Sequence, residues 1–73
     1  MALIDIKTEI TGSVWKIVAK IGDKLVEDEP ILILESMKME IPVFATEDGI
    51  LVEILTTEGE SVTEGTVLAR LQV

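Results

Sequence analysis

The sequence predicts a small all-β sandwich or barrel. Three observations carry that expectation: turn signals recur at short, regular intervals, the segments between them are β-branched and apolar, and the chain repeats itself at a constant offset of 37 residues. Gly12 to Ser36 aligns with Gly49 to Val73 without gaps. The identical pairs are Gly12/Gly49, Ile17/Ile54, Gly22/Gly59, Glu27/Glu64 and Leu34/Leu71. Val14/Leu51, Val18/Leu55, Asp23/Glu60, Leu25/Val62 and Ile31/Leu68 are similar. Two related halves predict approximate two-fold symmetry rather than a solenoid, which needs about three or more repeats.

Each half reads as short strands and turns. Val14 to Val18 is β-branched and aromatic and follows Gly12-Ser13, which predicts a strand. Gly22-Asp23 and Gly59-Glu60 predict turns. A short strand around Leu25-Val26 comes next, then an acidic corner at Glu27-Asp28-Glu29-Pro30, matched in the second half by Glu64-Gly65. The following strand spans Ile31 to Glu35 and is mirrored by Val67 to Gln72, where Val67, Ala69, Leu71 and Val73 alternate with Leu68, Arg70 and Gln72. Leu34 to Glu40 contains good helix formers. It lies between β-rich Ile31-Leu32-Ile33 and Ile41-Pro42-Val43-Phe44, and Pro42 disfavours helix at Ile41. Two strands meeting at a tight turn near Met37-Lys38 are therefore expected.

Composition excludes several classes of function. A chain of 73 residues is expected to form one domain, residues 1–73, near the lower limit for a core without staples. It has no Cys and no His, so thiol nucleophiles, disulfides, the usual zinc ligands and the usual general base are missing. The net charge of −8 argues against a nucleic-acid partner and against an anionic membrane surface. The apolar run from Leu3 to Ile6 is too short for a signal peptide, no stretch approaches transmembrane length, and a cytoplasmic location is the default expectation.

Attention then falls on Lys38. It is the sole lysine after Lys24, and it stands where the first half of the repeat gives way to the second. Symmetric halves would place its turn near the axis, protruding at one end of the domain. Met37 and Met39 flank it, and strand alternation would set both on one face, opposite the lysine. Singly these residues have bland readings: an exposed lysine is ordinary, methionines fill cores, and Glu35 and Glu40 solvate a surface. Together they are unusual, because a tight hairpin turn favours Asn-Gly, and other residues at its centre need a costly positive φ. Presenting the lysine amine to a modifying enzyme, with the methionines as an apolar handle, is a physical use for that choice. Acylation would take the net charge from −8 to −9.

Glu35-Ser36-Met37-Lys38-Met39 resembles the acceptor motif of the biotinyl/lipoyl attachment domains, usually Glu-Ala-Met-Lys-Met. Nearly the whole chain takes part. Gly12-Ser13-Val14 resembles the family's Pro-Gly-x-Val strand, Gly22-Asp23-Lys24-Leu25 its Gly-Asp-x-Val turn, and Ala45 to Gly49 its Ala-Pro-x-x-Gly segment. The resemblance implies a flattened β-barrel, a barrel-sandwich hybrid of two four-stranded antiparallel sheets with quasi-two-fold symmetry. It implies Lys38 as the attachment lysine, Met37 and Met39 as residues of recognition and carboxyl transfer, and Glu35 as the acid that helps select the ligase. Thr11 and Thr46 stand where the family has prolines, the early strands leave no room for a protruding thumb, and an Ala/Pro-rich linker is absent. The chain thus resembles the free-standing attachment proteins, or an excised domain.

The implied function is that of a biotin carboxyl carrier with no catalytic residue or metal of its own. Biotin protein ligase would join biotin to Lys38, biotin carboxylase would load it, and a carboxyltransferase would pass the carboxylate on, often to an acyl-CoA. A lipoyl carrier, or a carrier accepting both lipoate and biotin, is the near alternative, although lipoyl domains commonly have Asp-Lys-Ala at the turn. A non-carrier barrel of the transporter-adaptor kind, and an enzyme using Glu35 and Glu40, are readings of other classes.

Overall fold

Residues 2–73 are described by a computed structural model that contains eight strands and, among those residues, no helix. In chain order they are β1 (Leu3–Lys7), β2 (Gly12–Ile17), β3 (Lys24–Leu25), β4 (Pro30–Ser36), β5 (Met39–Phe44), β6 (Gly49–Ile54), β7 (Ser61–Val62) and β8 (Val67–Gln72). They form two four-stranded sheets, ordered β1-β8-β6-β3 and β5-β4-β2-β7, and every pairing is antiparallel. The expected all-β class and sheet count are both met. The short strand expected at Leu25-Val26 lies one residue earlier.

The 37-residue repeat is a repeat of hydrogen bonds. Gly22 N donates to Leu51 O and Gly59 N to Val14 O. Thr8 N donates to Thr66 O and Ala45 N to Glu29 O. The last pair shows that the symmetry extends beyond the aligned halves, with β1 as the counterpart of β5. Ile4/Ile41 and Ile6/Val43 are its apolar echo in the sequence. Between the sheets, Val14, Ile31, Leu32, Leu34, Leu51, Leu68 and Leu71 are fully enclosed. Each contributes about 1.5–3 kcal/mol through its removal from water.

The alternation expected in the last strand is broken. Leu68 and Ala69 are both buried, as are Ile31 and Leu32 at the equivalent place in β4. Register shifts explain this: Ile6 and Lys7 pair with Ala69 and Val67, skipping Leu68, while Pro30 and Leu32 pair with Phe44 and Val43, skipping Ile31. A bulge sets two consecutive residues against one and so turns both toward the core. The bulged carbonyls are used, since Val18 and Ala19 N donate to Ile31 O and Leu55 N donates to Leu68 O.

The turn at Met37-Lys38 does not sit on the axis. The offset maps Ser36 and Met39 onto Val73 and Ala2, which exchange backbone hydrogen bonds of 3.3 and 2.9 Å. The axis therefore swaps the turn with the chain ends. β2 begins at Gly12, beside Glu35, and the chain next turns at Gly22, bonded to Leu51 in the row next to Gln72. The turn and the Ala2/Val73 pair are thus at opposite ends of a body 36 Å long and about half as wide.

Two glycines set how closely neighbouring strands approach within each sheet at these ends, β2 to β4 and β6 to β8. A Cβ built on Gly12 would lie 2.5 Å from Glu35 O, and one on Gly49 2.7 Å from Gln72 O. Gly12→Ala is expected to destabilise the fold by about 2 kcal/mol or more, because the obstruction is backbone. A urea titration measures this, and a midpoint equal to wild type would show that the strands can part without cost. At the turn after β6, Glu60 accepts hydrogen bonds from the Thr56 hydroxyl at 2.6 Å and from Thr57 N at 3.3 Å. The Thr56 bond above all, then the Thr57 bond, holds the Glu60 carboxyl below the usual carboxylate range. A lowered folded-state value contributes stability that is complete above the unfolded-state value and lost as pH falls through the folded one. Glu60→Gln should therefore lower the denaturation midpoint at neutral pH and flatten the acid limb of the stability profile, so that the two proteins converge at low pH; equal midpoints at neutral pH would show that the charge contributes nothing.

Candidate functional site

β4 and β5 are joined by two residues, with Ser36 opposite Met39 and Glu35 opposite Glu40. Met37 and Lys38 form the turn, with φ of 53° and 65°. Positive φ at both central residues marks the mirror-image turn whose twist matches that of the flanking strands, and it excludes the helical reading of this segment. Left-handed backbone costs roughly 1–2 kcal/mol per L-residue, and neither residue is the Asn or Gly that would relieve it. Among the described residues, Asp28 is the other non-glycine with positive φ, and it occupies the place that Gly65 holds in the second half.

The side chains project outward. Met37 is 92% and Met39 62% exposed, and Lys38 is exposed between them. The core-filling reading of the methionines is thereby excluded. Strand alternation stops at the turn, because Met37 and Lys38 both lie in the left-handed bend rather than in a strand. Glu35 and Glu40 are exposed on the outer face of the sheet just below. All four residues singled out by sequence (Glu35, Met37, Lys38 and Met39) thus stand in one six-residue hairpin tip. A cleft of about 440 Å³ between the β1 and β5 edges is lined by none of them. The chemistry this chain offers is on a projection.

Two braces that the sequence did not reveal hold the tip. Ser36 Oγ donates to Thr11 O at 3.1 Å, and Gly12 sits against the Glu35 carbonyl. Thr11 in turn accepts from Glu64 N through its hydroxyl at 3.1 Å, a bond proline would lack at this position. The Gly12/Gly49 identity was the available signal for the close approach, but nothing local tied Thr11 to Ser36.

The sequence profile of a family described as biotin-requiring enzyme matches residues 4–71. The chain belongs to that family. It is 42% identical over 66 residues to a Bacillus subtilis biotin/lipoyl attachment protein, with 90% of each chain covered. It is 37% identical over 65 residues to a biotinylated protein TB7.3 homolog of Mycobacterium leprae, covering 89% of this chain and 92% of that one. Among solved structures, the urea carboxylase of Kluyveromyces lactis superposes with a TM-score of 0.94 at 33% identity. That match covers 99% of this chain, which spans 6% of the much longer enzyme.

If Met37-Lys38 is held at a conformational cost, replacing it with Asn-Gly should stabilise the protein by about 1–2 kcal/mol. Urea unfolding of the double variant measures the gain, and a loss of stability would show that the methionine and lysine side chains hold the turn by contacts of their own.

Proposed function

We propose that this chain is a biotin carboxyl carrier with Lys38 as its attachment residue. The observation that carries the proposal is an exposed primary amine at the centre of a two-residue turn, with both turn residues left-handed and solvent-exposed methionines on either side. Family membership and the biotinylated relative support biotin as the attached group.

The residues present suit such a group. Lys38 has no hydrogen bond or ion pair among the described residues, so nothing on this chain must be broken before its amine reacts. Attachment is acyl transfer: Lys38 Nζ gives up a proton, forms an amide bond to the acyl carbon of an activated carboxylate, and the activating nucleotide leaves. The base that takes the proton must come from the attachment enzyme, because no side chain here is placed to accept it. Biotin, once attached, supplies a ring nitrogen that can carry a carboxylate. The chain's own contribution is to keep the amide on a stiff β-hairpin clear of the body, so that it can enter first one active site and then another. Tethering makes each encounter effectively intramolecular and raises the local concentration at both sites. The partners of this reading are biotin protein ligase, biotin carboxylase and a carboxyltransferase, and the carrier itself makes and breaks no substrate bond.

The Bacillus subtilis relative is named for biotin and lipoate together, so lipoate forms the second arm of the test. Incubation with biotin protein ligase, biotin and ATP is expected to add the mass of one biotinyl group to the wild-type chain and none to Lys38→Arg. Equal labelling of both proteins would move the acceptor elsewhere. A lipoyl adduct in place of the biotinyl one, with lipoate and its ligase, would replace the carboxyl-carrier reading with the lipoyl one.

A further inference from the structure

The quasi-two-fold axis gives each outward position on one sheet a counterpart 37 residues away on the other, which allows the two outer faces to be compared. On the β1-β8-β6-β3 sheet the middle of the face is ionic. Arg70 Nε lies 2.9 Å from Asp5 and Arg70 Nη1 3.2 Å from Glu53. The counterparts of Arg70, Asp5 and Glu53 on the acceptor sheet are Ile33, Pro42 and Lys16. Val52, beside Glu53, corresponds to Trp15, and Lys7 to Phe44.

A register shift in β2 sets Trp15 and Lys16 together opposite Ile33, and Pro42 is the neighbour of Ile33 on its other side. Trp15 is 48% exposed, and Phe44, two positions beyond Pro42 on the same face, is 45% exposed. Where one sheet carries an ion-paired triad, the other presents Trp, Ile, Pro and Phe to solvent, with Lys16 beside Trp15 as its one charged member at these positions. Toward the turn, the next outward pair is Glu35 opposite Glu40. Like charges directly opposed destabilise a sheet, and among the described residues neither carboxylate has an ion pair. Apolar patch, uncompensated acids and the lysine turn follow one another along a single face.

We propose that this face is the docking surface of the enzyme that acylates Lys38, a partner with an apolar depression bordered by cationic groups. The inference rests on Lys38 being the attachment residue. A second copy of the chain is a poor occupant, since it would bring together two bodies of net charge −8 and set acids against acids. Cationic groups opposite Glu35 and Glu40 would remove their mutual repulsion, and a half-exposed tryptophan within a polar rim is a common anchor of protein interfaces. The attaching enzyme fits better than one acting on the far end of the arm. Its active site must reach Nζ itself, so its body lies against the domain within a lysine's length of the turn. At about 3.4 Å per strand residue, Pro42 is only about 14 Å from Lys38 along β5.

The test is steady-state biotinylation by purified biotin protein ligase with biotin and ATP, followed by intact mass, with carrier concentration varied. Trp15→Ser and Glu40→Lys are each expected to raise the KM for carrier about tenfold with kcat retained, as loss of docking rather than of chemistry requires. Glu47→Lys makes the same charge change elsewhere on the surface and should leave both constants unchanged. Glu40→Lys replaces a like-charged cross-strand pair with an opposite-charged one, so its urea midpoint should be no lower than wild type, which separates docking from folding. Lys38→Arg, which cannot be acylated, should inhibit modification of the wild type competitively, and adding Trp15→Ser to it should raise the inhibition constant about tenfold. Wild-type KM in Trp15→Ser and Glu40→Lys, with wild-type protein modified at Lys38, would overturn the docking surface and leave the carrier reading intact. Wild-type protein that gains no biotin would remove both.

Discussion

Two consecutive L-residues held in the left-handed region are the constraint around which the Met37-Lys38 end of this molecule is arranged. Met37 and Lys38 would relax readily in an isolated peptide, because each gives up roughly 1–2 kcal/mol to remain there. They stay because β4 and β5 are registered against each other through six cross-strand pairs, from Pro30 opposite Phe44 to Ser36 opposite Met39. The strands in turn are fixed by Leu32 and Leu34, both fully enclosed. The core thus acts at a distance on the turn: burial sets register, register sets a two-residue connection, and that connection sets the projection of one amine.

The molecule contains its own comparison. The symmetry that produces the lysine hairpin produces, at the opposite end, the paired Ala2 and Val73 backbone. Both ends use a glycine against a carbonyl, and both halves use a bulge to turn consecutive apolar residues inward. Backbone geometry is therefore common to the two ends, and what distinguishes them is the side-chain set. The Arg70 ion pairs of one outer face are replaced on the other by Ile33 between Pro42 and Lys16, which has no ion pair among the described residues, with Trp15 and Phe44 nearby. Because the duplicated scaffold holds backbone position nearly constant, such differences reflect the surfaces that each half presents.

Both edges that border the cleft carry features that oppose strand addition. Pro42 lies in β5 and lacks a backbone donor, and its counterpart in β1 is the charged Asp5. Edge strands offer unpaired backbone groups to other chains, and proline or charge at the edge blunts that tendency. Such edges limit indiscriminate association of this domain with the strands of other chains.

By itself the sequence determined the plan of elements and singled out the Met37-Lys38 hairpin. β-branched runs, turn glycines and a fixed offset are local or periodic signals, and Met37-Lys38-Met39 is contiguous, so both could be read along the chain. The position of the axis, the bulges at Ile31 and Leu68, the Thr11 and Gly12 braces on Ser36 and Glu35, and the exposure of Trp15 beside Ile33 were decided only by the tertiary structure. Each depends on which strands lie side by side, and those partners are separated by many residues. Strand alternation shows that a residue can face a core, but pairing across the sheet decides which core, in which register, and which apolar side chains are left facing water.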